Sequence, residues 1–544
     1  MSEETNTENS KLSIRLPLII AVAVVVGIFI GSRMLEPSID SQNLSSNLSK
    51  FKEVLTSIDK NYVDEVESKE LVEDAIREML KKLDPHSRYI PSSEVDLLKS
   101  QLIGHYDGIG IQFVVLQDTV YVVKALEGGP SKVLGITTGD KIITVEGENI
   151  TGINIKSSEV ADRLLGPSST EVSISILRGN EMIDFTIKRG KIPQKSVQTS
   201  YMVSAEIGYI KIANFGDKTY IEFKAALDRL KMEGMEKLIL DLQGNPGGRM
   251  DAAERISDEL IGGNRLIVSQ KSSHKKYNSS SYAKKEGVFE EGPIVVLVDE
   301  KSASASEIVS GALQDHDRAL IVGRRTFGKG LVQLPVTLND NSELMLTIAR
   351  YYTPSGRSIQ KPYTDMDSYY TELSTRYDHG EYFHEDSIKF DDSLRYTTAN
   401  GRVVYGGGGI MPDHFVPYDT MNYTNYYRDL ISSGVLRKFS IDYFVTNRDA
   451  LSTMELQAFL NEFTINNVML KQITDIGEEF GVTKNLSEYE KSLELIKGYA
   501  KADIAEFLWN EEGYYRVVNP LSNEVYIQAL ELFDEATLLA KAYN

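Results

Sequence analysis

Apolar residues recur at spacings of three and four in "LVEDAIREMLKKL", where Leu71, Val72, Ile76, Met79, Leu80 and Leu83 share one face. That period predicts an amphipathic helix, and the preceding "FKEVLTSIDKNYV" reads the same way. "LDPHSRYI" ends the pattern at Pro85, and His86 reads there as a turn residue holding the helix end rather than as a base. From Gly104 the period changes. "GIGIQFVVLQ", "TVYVVKAL", "KIITVEGENI", "EVSISILRG" and "MIDFTIKRG" predict short strands, with one helix, "SSEVADRLLG", capped by Ser157 or Ser158. Strands and helices then alternate: "IGYIKIANF", "KTYIEFKAALDRLKMEG", "KLILDLQGNPGG", "DAAERISDELI", "IVVLVDE", "SASEIVSGALQD" and "ALIVGRRT". Such alternation predicts a mostly parallel sheet with right-handed crossovers and with sites at the carboxyl ends of its strands. Beyond about residue 420 the three-four period returns to the end of the chain.

One apolar run differs from the rest. Residues 16–32 carry no charge and span about 25 Å as a helix, near the lower limit for a bilayer. Lys11 and Arg15 precede the run and only Arg33 follows closely, a bias that places the N-terminus in the cytoplasm. The chain is therefore expected to be multidomain α+β. A cytoplasmic tail (1–15), a single transmembrane helix (16–32) and a linker (33–47) precede a helical region (48–102). A small β-rich module (103–190), an α/β core (191–420) and a helical extension (421–544) follow.

Composition removes several function classes. A net charge of −20 argues against nucleic acid, which needs clustered Lys and Arg to release counterions. The absence of cysteine excludes disulfides, thiolate nucleophiles and Cys-based zinc sites. Seven histidines without HExxH or paired ligand spacing suggest no metal, and no other cofactor is called for.

Chemistry concentrates in "SASASEIVSGALQDHDRALIVGRRTFGKG" (302–330). No serine has glycine on both sides at two residues, so the hydrolase elbow is absent. Ser-x-x-Lys occurs at Ser272/Lys275 and Ser358/Lys361, but two isolated hits show only how common that spacing is. The 302–306 serines instead follow a buried strand and open a helix, where free backbone N–H groups favour an oxyanion. The "NPGG" turn at Asn245 to Gly248 ends the neighbouring strand and offers further N–H donors. His316 lies along the same helix, about 18 Å from the serines, too far to act as their base. Lys329 returns to the same sheet edge in an otherwise uncharged stretch. It can serve as base only if burial keeps it neutral and no carboxylate pairs with it. Which serine attacks is left open by the pattern itself.

"SASASEI", "DLQGNPGG" and "TFGKGLVQ", with "LDPHSRYI", "GIGIQF" and "GGGGIMPD", together resemble the carboxyl-terminal processing (tail-specific) proteases over residues 48 to 418. The resemblance implies a serine endopeptidase with a Ser–Lys dyad. It selects Ser304, 25 positions before the lysine, as nucleophile and Lys329 as base, with Gln333 orienting the lysine. Ala305 with Gly247 or Gly248 would form the oxyanion hole. Asp315, needed in some members, is expected at the helix end or a domain contact rather than in catalysis. The 103–190 module would be an inserted PDZ domain. Gly108, Ile109, Gly110 and Ile111 would take a terminal carboxylate, and Val160 and Leu164 would line the side-chain pocket. Expected partners are proteins or peptides with accessible apolar C-termini, the membrane through the anchor, and a second copy through the terminal helices. The catalytic part is expected outside the cytoplasm, in the bacterial periplasm or cell envelope. The competing expectation is a non-catalytic PDZ scaffold on a protease fold.

Overall fold

A computed structural model describes residues 41–543 and divides into two compact units, one ending at Met79 and the other beginning at Leu80. The predicted tail and anchor lie outside the described residues. Among the described residues no helix is long and apolar enough to cross a membrane. The first unit is helical, with Ser41–Asn61 and most of Ser68–Lys81.

The second unit is organised around a six-stranded sheet. Its strands run Val197–Met202, Ile207–Ile212, Lys237–Asp241, Ile294–Val298, Leu320–Gly323 and His414–Phe415 in spatial order. The first pair is antiparallel and the other four are parallel. Near-continuous apolar strands such as Ile294–Val298 are what a sheet covered on both faces requires. Alternate residues point to alternate faces, and the split is visible residue by residue. Ile210, Leu238, Leu240, Val296 and Ile321 face the helices Thr219–Met232, Met250–Leu260 and Ala305–Asp315. Tyr209, Ile239, Val295, Leu297 and Val322 face the other way, onto Val525, Tyr526, Ala529, Phe533 and Ala536. The end of the C-terminal extension thus covers the second face of the core sheet, packing that no local sequence feature announces.

A second, antiparallel sheet is also unannounced by periodicity. Glu343–Tyr352 pairs with Arg88–Ile90, Leu266–Lys271 and Leu331–Thr337. The segment after "LDPHS" therefore enters the core as a strand rather than continuing the helical region.

The strands of the β-rich module form a sheet in the order Ile111–Leu116, Thr119–Ala125, Lys141–Val145, Glu171–Arg178, Glu181–Lys188, which leaves Ile111–Leu116 at an edge. Its helix, Ser157–Leu164, has Lys156 rather than either serine at the N-cap position. Glu159 takes the Lys156 N–H at 2.8 Å, so the Glu at the third helical position does the capping. Leu116, Tyr121 and Val123 on the outer face of this sheet pack against Ile441 of the extension, and Lys124 pairs with Glu511 at 3.3 Å.

Candidate active site

The three alternating serines occupy three different environments. Ser302 is fully buried: its hydroxyl donates to the Leu242 carbonyl at 2.8 Å and accepts the Asp299 N–H at 2.9 Å. Ser306 is buried on the helix and donates to the Asn245 carbonyl at 3.0 Å. Both tie the helix start to the end of the Lys237–Asp241 strand. Ser304 alone is partly exposed, as the N-cap of Ala305–Asp315.

Its backbone is strained, with φ +56° and ψ −109°, a region that a non-glycine residue occupies at a cost of about 1–3 kcal/mol. Surrounding groups hold it there. Gly247 passes so close that a Cβ on it would lie 2.6 Å from the Ala303 carbonyl and 2.8 Å from the Ser304 Cβ, so only glycine fits.

Lys329 sits in the loop between Leu320–Gly323 and Leu331–Thr337. Its side chain is half-buried, its Nζ donates to Gln333 Oε1 at 3.0 Å, and among the described residues it forms no ion pair. Burial, then the charge of Arg88, pushes its pKa below the ordinary lysine value of 10.5, while Glu307 and Asp84 oppose the shift. Gln333 follows a bulge, where the register shifts between Val332 and Gln333. A bulge re-aims a strand side chain, and the Lys329–Gln333 contact is made from this loop and strand, not from a helical turn.

The serine and the lysine are clamped to each other by two buried groups. One oxygen of Glu307 accepts both the Ser304 N–H (2.8 Å) and the Lys329 N–H (2.9 Å). The other accepts the Gly328 N–H (2.7 Å) and the Thr326 hydroxyl (2.6 Å). Burial raises the Glu307 pKa and these four donors oppose the rise. On the carbonyl side, the Tyr351 hydroxyl reaches both the Lys329 carbonyl (2.8 Å) and the Ser304 carbonyl (3.1 Å). Sequence reading passed over both residues. Ser304-x-x-Glu307 is a capping-box spacing that would have found the first; Tyr351 carries no such signal.

The N–H groups around Ser304 are not equivalent. Gly247 donates to Asn245 Oδ1 at 2.8 Å inside its own turn. Gly248 is exposed at φ +141°, and the hydrogen bonds that tie this turn to Phe215 run through the Gly247 carbonyl and the Arg249 N–H rather than through its N–H. Ala305 is the first residue of the helix, where N–H groups have no intrahelical acceptor.

Other candidates are placed elsewhere. His316 bonds the Leu266 carbonyl at 2.6 Å and burial lowers its pKa. Asp315 pairs with Arg357 at 2.8 Å, both fully buried, and accepts the Ser355 N–H at 3.0 Å, so it fastens the helix end. Lys361 pairs with Glu372 at 3.0 Å and Lys275 is exposed, so neither Ser-x-x-Lys lysine is both buried and unpaired. His86 does hold its turn, through Asp84 Oδ1 at 2.8 Å, but its carbonyl also accepts from Gln333 Nε2 at 2.5 Å.

In the β-rich module, the Ile109 carbonyl accepts from the Ser131 N–H and hydroxyl, and the Gly110 carbonyl from the Leu126 N–H. This orients the Gly108–Ile111 turn at the start of the edge strand. Val160 and Leu164 do not line an open pocket. They are 0% and 3% exposed and belong to the module's core, because the helix turns these apolar positions onto the sheet.

Comparison with known proteins adds family information to this geometry. The description "Peptidase family S41" matches residues 206–369, "PDZ domain" 108–188 and "Activating protease CtpB N-terminal domain" 32–93; a family of unknown function matches 426–510. A carboxy-terminal-processing protease of Bartonella bacilliformis is 34% identical over 328 residues, covering 59% of this chain and 74% of the relative. A solved photosystem II D1 C-terminal processing protease is 30% identical, with 57% of this chain and 89% of the other covered and a TM-score of 0.34.

Proposed function

Since the chain belongs to peptidase family S41 and is a serine protease of the carboxy-terminal-processing type with a PDZ domain, we propose that it cleaves peptide bonds with a Ser304–Lys329 dyad. The observation that carries this reading is the clamp. Glu307 and Tyr351 bind the backbones of Ser304 and Lys329 together, and the lysine has a half-buried amine with no carboxylate partner among the described residues.

In this mechanism the neutral Lys329 amine donates one N–H to Gln333, leaving its lone pair for the Ser304 hydroxyl. Nζ takes the hydroxyl proton as Oγ attacks the substrate carbonyl carbon. The oxyanion is held by the N–H groups of Ala305 and Gly248, since Gly247 is already engaged. Collapse returns the proton to the leaving amine. Water, deprotonated by Lys329 in turn, then releases the new C-terminus from the acyl-enzyme. The substrate tail would add to the exposed edge strand Ile111–Leu116, its carboxylate on the N–H groups of the Gly108–Ile111 turn. An apolar C-terminus on an extracytoplasmic protein is the proposed substrate class, reached from a membrane anchor at 16–32.

The full-length protein is tested on one denatured polypeptide carrying either an apolar or a charged C-terminal tail. Faster cleavage of the apolar-tailed form, lost in Ser304→Ala, is expected. Equal cleavage of both tails removes the tail-recognition part, and cleavage unchanged in Ser304→Ala removes the dyad.

The pH dependence follows from the lysine. Only neutral Lys329 is a base, so single-turnover cleavage should rise with pH through a midpoint below 10.5. A midpoint at or above 10.5 overturns the buried-base reading. Stability carries the same sign. Between the lowered folded pKa and the ordinary unfolded one the unfolded chain binds more protons, so the Lys329 contribution improves as pH rises across that window. Below the folded pKa its penalty is complete.

A further inference from the structure

Gln333 has two ends, and a flipped amide would set its NH₂ against the lysine instead of its oxygen. What prevents the flip is the His86 carbonyl, which accepts from Nε2 at 2.5 Å and so leaves Oε1 facing Lys329 Nζ at 3.0 Å. The place of that carbonyl is itself held at the side chain. His86 bonds the Tyr369 hydroxyl through Nε2 at 2.6 Å, and the two rings meet edge-on with centroids 5.6 Å apart. Tyr369 is buried on the helix Met366–Asp378 against Phe327.

The same helix holds the other side of Lys329. Arg376, nearly fully buried, donates to the carbonyls of Arg325, Thr326 and Phe327 at 3.3, 2.9 and 3.3 Å, the three residues that lead into Gly328 and Lys329. One helix therefore grips both the loop carrying the base and, through His86, the acceptor that orients it.

We infer that Tyr369 and His86 are positioning residues for the proposed base, acting through the His86 carbonyl and Gln333 to keep the Lys329 lone pair directed at Ser304. The inference rests on the dyad reading. Neither residue is proposed to touch substrate. The charged groups around Lys329 are Arg88 on its strand, Asp84 in the turn before it and Glu307 on the nucleophile helix, and around His86 also Lys361. All of these stay in place in the variants below.

The test uses the full-length protein with Tyr369→Phe, which keeps the ring and removes the hydroxyl, and His86→Gln, which keeps a polar group able to meet Tyr369. For Tyr369→Phe, kcat is expected to fall about tenfold with KM within about twofold, since the interaction acts on the chemical step. The rising limb of the kcat–pH profile should move to lower pH, because a Gln333 oxygen that no longer meets Nζ stops favouring the protonated amine. His86→Gln should lose less than His86→Ala. Combined with Gln333→Ala, Tyr369→Phe should add no further loss, because both act on one contact. Wild-type kcat in Tyr369→Phe, a KM effect alone, or full additivity with Gln333→Ala overturns the arm. Should Tyr369→Phe fail to fold, the His86→Gln and His86→Ala comparison decides, and equal losses there overturn it. Activity surviving in Lys329→Ala would instead overturn the dyad itself, so the two failures are distinguishable.

Discussion

Ser304→Ala and Lys329→Ala each lower peptide cleavage by about 10³-fold or more, and the double variant falls no further. Non-additivity is the diagnostic part. A nucleophile and its base act as one unit, so removing either leaves only binding and the oxyanion N–H groups. Lys329→Arg is expected to be as inactive as alanine, because a guanidinium keeps its proton and offers no lone pair. Ser302→Ala and Ser306→Ala give the contrast. Ser302→Ala loses two buried hydrogen bonds and Ser306→Ala one, each worth about 1 kcal/mol, and both leave Ser304 and Lys329 intact. The measurement is single-turnover cleavage of an unfolded substrate, with urea unfolding beside it. More than about a tenth of wild-type activity in Lys329→Ala would eliminate the lysine as base.

Glu307→Gln is the second large effect, and it reaches stability and catalysis together. The carboxylate accepts four hydrogen bonds, three of them from backbone N–H groups. An amide of the same shape accepts through one oxygen only, and its NH₂ faces N–H donors. Two donors on one side lose their partner whichever way the amide turns, the Ser304 and Lys329 N–H groups or the Gly328 N–H and the Thr326 hydroxyl, at about 1–3 kcal/mol for each N–H left unpaired. A destabilisation of about 3–5 kcal/mol is expected, with kcat reduced about 10²-fold or more as Ser304 and Lys329 lose their common anchor. Denaturant unfolding and kcat on the folded fraction separate the two effects. A Glu307→Gln protein within about 1 kcal/mol of wild type would show that the carboxylate does not organise the site.

The strands and helices that carry the site were legible because their periods are clean. "KLILDLQGNPGG" and "IVVLVDE" read as buried strands and are found as Lys237–Asp241 and Ile294–Val298. The helix opening at the serines is likewise found, as Ala305–Asp315. The resemblance singled out Ser304, and the structure supplies a physical distinction among the three serines: two are buried with their hydroxyls in structural bonds and one is partly exposed. Val160 and Leu164 are found in the module's core, since helix periodicity marks an apolar face without saying whether a ligand or a core covers it.

Sequence alone determined the local elements, the sheet edge where the candidate residues gather and the two side chains of the proposed dyad, because each follows from short-range periodicity or from a motif. Tertiary structure decided what makes those side chains usable. Glu307 and Tyr351 come from a helix and a distant strand to bind Ser304 and Lys329 together, and a carbonyl more than two hundred residues away in sequence sets the Gln333 amide. It also decided that the chain's last helices close the second face of the core sheet. Apart from Glu307, which lies in the same 302–330 stretch as both side chains, these are pairings between residues far apart in the chain, whose geometry exists only once the sheets have stacked.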